Sequence, residues 1–441
     1  MVSSMKVEYL SKEMIKPSSP TPENLRLFQL GLIDQITPPN FLSLLLYYPS
    51  DSDQVDNLHI IAKMQRLRAS LSEVLTHFYT FAGRIKDNTM ITCNDEGVVF
   101  LEAQVNAFLS DIFEEPDADL VHHFIPIKME DPLTPTSPLI FVQANIFKCE
   151  GLVIAVSFNH KIADIKSVST FIKAWSAHAF GSMNEAMLPK FLSGTTLHDS
   201  PDQSYPITPP VIEFKMTKCV TSRFVFDDSK IKELKTKASS KTVQQPTRFE
   251  VVSALIWECS ARASRINLGL TNRESMIIRS VNIRKRVVPP IPENSIGNFL
   301  GPSIVRLELD EEIVLQQLVI QFRNDLEEFS KSIAEAIHHE GALCKVCELA
   351  KEVKIAQNGD DLDLYYCTSW CRMSFYDTDF GWGRPKWISV PSIPVKNSMI
   401  LTDASDGKGI EAWLTLSEED MELVRSYKEL LEFASLNPRI L

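Results

Sequence analysis

Long apolar runs are missing from this chain of 441 residues. No stretch approaches the roughly 18 uninterrupted apolar residues of a membrane-spanning helix, so none is expected. The opening "MVSSMKVEYLSKEMIKPSSP" has no apolar segment of the secretory kind, and the closing "NPRIL" shares only its last residue with the Ser-Lys-Leu peroxisomal address. Cytosol is the expected compartment. Net positive charge is missing as well. The 45 basic and 57 acidic residues leave −12, with an isoelectric point near 5.4. That argues against bulk attraction to nucleic acid or to an anionic membrane, so an anionic ligand needs a local basic site.

The common signatures of nucleotide and hydrolase chemistry are absent too. The chain has no G-x-S-x-G, no P-loop, no G-x-G-x-x-G and no H-E-x-x-H. "DFGWGRP" contains G-x-G, but Trp382 fills the middle and nothing suited to cradling phosphate follows. Its Asp-Phe-Gly is not preceded by the His-Arg-Asp loop of a kinase. Phosphoryl and hydride transfer are left without support. There is no internal repeat and no low-complexity tract.

What is present is an ordinary globular composition, 44 % apolar and 23 % charged, long enough for two domains and a pocket. Of the 8 cysteines, Cys344, Cys347, Cys367 and Cys371 come close to a zinc spacing. However, "YYCTSWCRMSFY" reads as a strand, where residues four apart stand about 13 Å from each other, too far to share one ion. "ALCKVCELAKEV" reads as a helix with small buried thiols. No metal site is expected, and the thiols are expected to be reduced. The adjacent pairs His122–His123 and His338–His339 point to different faces and are expected to be solvated.

The segment through "PSSPTPENLRLFQLGLIDQ" reads as a strand, a proline-punctuated turn and a second strand. "NLHIIAKMQRLRASLSEVLTHFYTFAGRI" carries Leu67, Leu71, Val74, Leu75 and Phe78 at helical spacing and stops at Gly83. "MITCNDEGVVFLEAQVN" predicts a hairpin turning at Asn94 to Gly97, and "PLIFVQANIFKCEGLVIAVSFNH" a second one at Glu150 and Gly151. A helix is predicted over 165–180. From 186 to 216 the pattern dissolves into Ser, Thr, Asp and Pro, a crossover linker. Strand and helix then alternate again through "CVTSRFVF", "DSKIKELKTKA", "TRFEVVSALIWECSARAS", "SMIIRSVNIR", "PSIVRLEL" and a long amphipathic helix over 311–339. The expected architecture is α/β: a domain over 1–185, the linker 186–216, and a second domain over 217–441, with a cleft between them.

At "FNHKIADIKS" a histidine stands where a buried strand meets a helix. A neutral imidazole facing a cavity there can take a proton from an alcohol or amine. Asp164, one helical turn on, either orients that ring or pins the loop. Read alone, H-x-x-x-D fits equally a satisfied core histidine with a helix-capping aspartate.

The wider constellation does more. "SFNHKIAD", "VNIRKRVVPPIPENSIGNFLG" and "TSWCRMSFYDTDFGWGRPKW", together with "KPSSPTPENL" and "GIEAWLTL", resemble the plant BAHD acyltransferases along the whole chain. The family signatures H-x-x-x-D and D-F-G-W-G fall at His160–Asp164 and Asp379–Gly383. The resemblance implies two similar mixed-sheet domains of the chloramphenicol-acetyltransferase-like type, with a solvent channel between them. It also implies a monomer that binds no resident cofactor or metal and takes acyl-CoA, acetyl-CoA in the first place, as co-substrate. The acceptor is a hydroxyl of a specialised metabolite, an alkaloid or terpenoid, with aromatic or longer acyl transfer, or N-acylation, as the alternative. A non-catalytic binding protein that keeps the fold is a third reading.

Residue by residue, the resemblance makes His160 the general base and pairs Asp164 with Arg284 of the Asn282–Arg284 motif, Arg286 being the fallback partner. Thr368 and Trp370 hold the tetrahedral intermediate, although Trp370 fits core packing in a strand as well. Asp379, Gly381 and Gly383 support the coenzyme A side from a distance. Thr247, Arg248 and Ser253, near a helix N-terminus, are the candidate coenzyme A contacts. Two departures stand out. Ile165 replaces the glycine that many members carry after the aspartate, and "SIGN" (Ser295 to Asn298) replaces Tyr-Phe-Gly-Asn, which favours the alkaloid and terpenoid branch.

Overall fold

The computed structural model describes residues 5–50, 57–184, 187–192, 215–270, 273–307, 314–338, 342–359 and 362–441. Two mixed sheets organise it. The first runs Val7–Ile15, Val98–Val105, Ile140–Phe147, Leu152–Asn159, Phe41–Tyr48 and Trp387–Ser389. The second runs Leu300–Leu307, Glu274–Asn282, Leu362–Ser369, Ser398–Asp403, Ile410–Leu416, Val220–Phe226 and Ser435–Leu436. Val98–Val105 lies parallel to Ile140–Phe147, and Leu362–Ser369 lies parallel to both of its neighbours. The other pairings are antiparallel. Among the described residues no helix is long and apolar enough to cross a membrane.

The first core forms as its periodicity predicts. Helix Asn57–His77 turns Leu67, Leu71, Val74 and Leu75 inward, with Phe78 behind them, and all are fully buried. The strand Leu152–Asn159 is buried at every position, which suits a run of Leu, Val, Ile and Phe with both faces covered. It forms the expected hairpin with Ile140–Phe147, turning through Glu150 in a left-handed conformation, φ 59. The helix that follows spans Ile165–Phe180. Asp164 caps it, and Gly181 ends it at φ 76, where L side chains are disfavoured. Its Trp175 donates the indole N–H to the Leu67 carbonyl at 3.2 Å and to Ser70 Oγ at 3.1 Å, locking it to helix Asn57–His77.

The hairpin expected at Asn94 to Gly97 does not form. Met90–Thr92 pairs instead with Arg84–Lys86 and Leu27–Gln29, while Val98–Val105 enters the first sheet. The turn itself is real: Asp95 and Gly97 both have positive φ. But the Asp95 carboxylate is held by Thr21 N at 3.0 Å and Arg26 Nη1 at 2.8 Å, which sends the chain away from its predecessor. Val98 and Val99, buried on opposite faces of the strand, then need a sheet covered on both sides.

The two halves do not keep to their own sheets. Trp387–Ser389, from the second half, pairs antiparallel with Phe41–Tyr48 and completes the first sheet. The expected boundaries at 185 and 217 therefore divide the sequence more cleanly than the fold. Of the expected linker, Lys190–Phe191 pairs with Ser295–Ile296, and residues 193–214 lie outside those described. The strand read in "YYCTSWCRMSFY" ends at Ser369, so Cys371 lies beyond it and the extended-spacing argument does not apply to that cysteine. Burial pushes the thiols of Cys367 and Cys371 up to about 12, unfavourable for a thiolate ligand. The side chains of Cys344, Cys347, His338 and His339 lie outside the described residues.

Candidate active site

The strand Leu152–Asn159 delivers His160 to a single 3-10 turn, His160–Ile162. Asn159 caps that turn by accepting from Lys161 N at 3.0 Å. The His160 N–H donates to the Asn40 carbonyl at 2.9 Å, carrying the strand pairing one residue further. The ring is fixed by its own loop: Nδ1 lies 3.2 Å from the Ala163 carbonyl oxygen. A carbonyl can only accept, so Nδ1 carries the hydrogen and Nε2 keeps its lone pair. Burial lowers the imidazole pKa below 6.5 against smaller opposing effects from its hydrogen bonds and Asp164, leaving the ring neutral at pH 7.

Asp164 turns away from that ring. Its Oδ1 accepts from Ser167 N and Ser167 Oγ, both at 2.9 Å, and its Oδ2 accepts from Phe299 N at 3.1 Å. Arg284 grips both oxygens, Nη1 to Oδ2 at 2.7 Å and Nη2 to Oδ1 at 3.0 Å. Both side chains are fully buried. Burial pushes the Asp164 carboxyl up, but the Arg284 charge and the hydrogen bonds outweigh it and hold the group below its ordinary range. Asn282 Oδ1 accepts from Arg284 N at 3.0 Å, and the guanidinium carbon sits 4.5 Å from the Phe299 ring centroid. Arg286 is not the partner: it donates to the Asn282 carbonyl at 2.6 Å and to Ser330 Oγ at 3.1 Å. Ile165, the departure next to Asp164, is buried in the first core.

A third wall of the corner was not foreseen. Ser295 to Asn298, expected only as a branch marker, lies with Phe299 against His160 and Asp164. Asn298 Nδ2 donates to the His160 carbonyl at 2.8 Å and to Asp34 Oδ1 at 2.9 Å, and Asn298 N donates to the same oxygen at 2.7 Å. Burial raises the Asp34 carboxyl to about 6, with the hydrogen bonds from Asn298 and Gly31 opposing. Lys161 donates to the Asp34 and Gln35 carbonyls at 3.1 and 2.8 Å, and burial lowers its ammonium to about 8.

Two cavities meet at Trp370, whose side chain is buried in both walls. The small one is also lined by Phe41, Leu42, His122 and Ile400. It adjoins the corner of His160 and Asp164, because Phe41 is the register partner of Asn159. Thr368 is half-buried beside Ile400 on the strand that leads to Trp370. His122 is not simply solvated. Its Nε2 lies 2.6 Å from Ser392 Oγ, which donates to Asp119 Oδ1 at 2.9 Å, whereas His123 is exposed as expected.

The large cavity, about 880 Å³, is lined by Arg248, Arg372, Arg384, Lys386 and Lys408 and by four aspartates. Three of these carboxylates are already paired: Asp228 with Lys232, Asp377 with Arg384, and Asp403 with Arg248. Among the described residues this leaves Arg372, Lys386 and Lys408 as cations of the lining not paired with these carboxylates. Arg372 and Ser374 hold strained positive φ values of 62 and 55 beside Trp370. No motif marks these residues. Of the three expected coenzyme A contacts only Arg248 lines this cavity, and its guanidinium is bonded to Asp403 at 3.0 Å and the Lys408 carbonyl at 2.6 Å. Thr247 is engaged in a capping box with Glu250. Ser253 is a correction: it is fully buried and donates to the Phe249 carbonyl at 2.6 Å, on the core side of its helix.

The D-F-G-W-G segment is a bolt between the halves. Asp379 Oδ1 accepts from Gly381 N at 2.7 Å and Gly383 N at 3.0 Å, closing a loop whose glycines stand at φ 103 and 99. A side chain at Gly381 would collide with Arg66 Nη1. Phe380 is fully buried, 4.8 Å from the Trp175 ring and 5.6 Å from the stacked Trp382. Residues on either side of the motif line the large cavity, but the motif itself does not.

The Transferase family model matches residues 5–431. Akuammiline synthase 1 of Alstonia scholaris is 35 % identical over 431 residues, 98 % of each chain. The 17,18-epoxy-17-hydroxycur-19-ene N-malonyltransferase of Strychnos nux-vomica is 33 % identical over 99 % of this chain and 92 % of its own. A limonoid 21-O-acetyltransferase of Melia azedarach is 32 % identical over 99 % of this chain and 100 % of its own. Among solved structures, that of vinorine synthase matches with a TM-score of 0.81 at 32 % identity, covering 98 % of this chain and 99 % of that one.

Proposed function

Because the chain belongs to the BAHD acyltransferase family, we propose that it transfers an acetyl group from acetyl-CoA to a hydroxyl of a plant alkaloid or terpenoid, with His160 as general base. One observation carries the role of His160: its Nδ1–H is tied to the Ala163 carbonyl, so the basic Nε2 stays available on a neutral ring. The acceptor O–H gives its proton to Nε2 as its oxygen bonds to the thioester carbonyl carbon. The carbonyl π electrons move onto oxygen, and Thr368 and Trp370 are assigned to that tetrahedral intermediate. The C–O double bond then re-forms, the C–S bond breaks, and the coenzyme A thiolate takes the proton back from the imidazolium. Ester, free thiol and neutral histidine result, and no acyl-enzyme is needed.

Asp164 has no lone pair left for the ring and serves as scaffold. Arg372, Lys386 and Lys408 are assigned to the phosphates of the donor, a local basic lining in a chain whose total charge is −12. Akuammiline synthase and the limonoid acetyltransferase support the alkaloid or terpenoid acceptor. The second reading, transfer of a malonyl or other longer group or acylation of an amine, is supported by the N-malonyltransferase relative. The protein acts in this reading as a cytosolic monomer.

The test is a free-thiol assay with acetyl-, malonyl- and aromatic acyl-CoA against a panel of alkaloid and triterpenoid alcohols and amines, His160→Ala serving as control. Acetyl-dependent thiol release with an alcohol is expected. Release with malonyl-CoA and an amine alone favours the second reading, and no release with any pair removes both.

A further inference from the structure

We infer that Asp34 and Asn298 are a positioning pair for His160, an inference that rests on the general-base reading above. The two residues lie 264 positions apart and meet under the catalytic turn. Asp34 comes from the short helix Leu32–Ile36, and Asn298 from the loop between Ser295–Ile296 and Leu300–Leu307. Both side chains are buried, at 6 % and 4 % exposure, so the bonds between them do not compete with water.

The arrangement has a direction. Asp34 Oδ2 is held by Gly31 N at 2.9 Å, and Oδ1 takes two donors from Asn298, at 2.7 and 2.9 Å. These bonds fix the Asn298 amide plane, so its second N–H points at the His160 carbonyl, 2.8 Å away. The next residue is held from the same side, by the Asp34 and Gln35 carbonyls on the Lys161 ammonium. The main chain of the turn is thus gripped at 160 and 161, while Arg284 grips it through Asp164. Only with those points fixed does the Ala163 carbonyl stay under Nδ1 and hold the ring in the one tautomer that leaves Nε2 basic. Asp34 and Asn298 act through the backbone of His160 and are assigned no contact with substrate. Among the described residues, Asp34 feels the charges of Lys161 and of Asp164, which is itself paired with Arg284.

The experiment compares the wild-type 441-residue chain with Asp34→Asn, Asn298→Asp, Asn298→Ala and His160→Ala. The first two keep side-chain shape and change only donors and charge. Displacing a catalytic group slightly typically costs about 10–100-fold in turnover. That loss is expected in kcat for Asp34→Asn and both Asn298 variants, with KM for acetyl-CoA within about threefold of wild type. The accompanying signature is spectroscopic. In protein labelled with 15N-histidine, the His160 signals, assigned by their loss in a His160 variant, should report a single Nδ1–H tautomer in the wild type. A mixture is expected in the positioning variants.

A wild-type ring that already populates both tautomers overturns the inference without any variant. So do folded variants with kcat within twofold of wild type and an unchanged tautomer. If His160→Ala itself keeps full turnover, the general-base reading fails first. If His160→Ala is inactive while the other variants are fully active, only the positioning role fails.

Discussion

Removing the Asp164 carboxylate should cost the enzyme its catalytic corner and its thermal stability together. In Asp164→Ala the buried Arg284 Nη1 keeps only Asn282 Oδ1, at 3.4 Å, while Nη2 retains the Ser295 carbonyl at 2.9 Å and Ser167 Oγ at 3.1 Å. The N–H groups of Ser167 and Phe299 lose their acceptor. Breaking a buried ion pair from one side costs about 3–5 kcal/mol, and here the helix cap is lost with the same atoms, so its cost is not added. At about 2.1 cal/mol/K of unfolding entropy per residue, 441 residues unfolding together lose roughly 1 °C per kcal/mol, so the midpoint should fall by about 3–5 °C. Thermal melts followed by circular dichroism, with turnover measured well below the midpoint, check this. Arg284→Ala should fall by a similar amount, and the double variant by less than the sum, because the second change removes the stranded charge. An Asp164→Ala protein that melts within about 1 °C of wild type but has no activity would instead give Asp164 a chemical role.

Other outcomes follow from the same geometry. The His160 pKa is lowered on folding, so the active neutral ring dominates above 6.5, and kcat/KM should fall with a slope of one proton only as pH drops through a value below 6.5; an acid limb centred above 6.5 would contradict it. Gly381→Ala places a Cβ at φ 103 against Arg66 and should destabilise by at least about 1–3 kcal/mol in urea titration while folded protein keeps its kcat. Arg372→Ala and Lys408→Ala should raise KM for acetyl-CoA several-fold with kcat retained; KM values unchanged in both would remove these cations from the donor site.

Much of the fold is legible where the signal is local. Helix Ile165–Phe180 is readable because Asp164 and Gly181 punctuate it, and the hairpin at Glu150 because both of its strands are apolar and adjacent. The turn at Asn94 to Gly97 is equally marked, but a turn does not say which strand its successor joins. Ser253 was misplaced because proximity to a helix N-terminus does not say which face meets a cavity. His122 and Ser392, or Asp34 and Asn298, lie so far apart in the chain that only the assembled sheets bring them together. The pairing of Asp164 with Arg284 was expected through the family resemblance, because nothing in the spacing of the two residues encodes it.

Removal of the acceptor proton by His160 Nε2 is decided by the acyl-transfer rate of a folded His160→Ala protein. With a melting midpoint close to that of wild type, kcat should drop about 10²–10⁴-fold, equivalent to about 3–5 kcal/mol of barrier. A folded His160→Ala enzyme that turns over near the wild-type rate would take His160 out of the proton transfer.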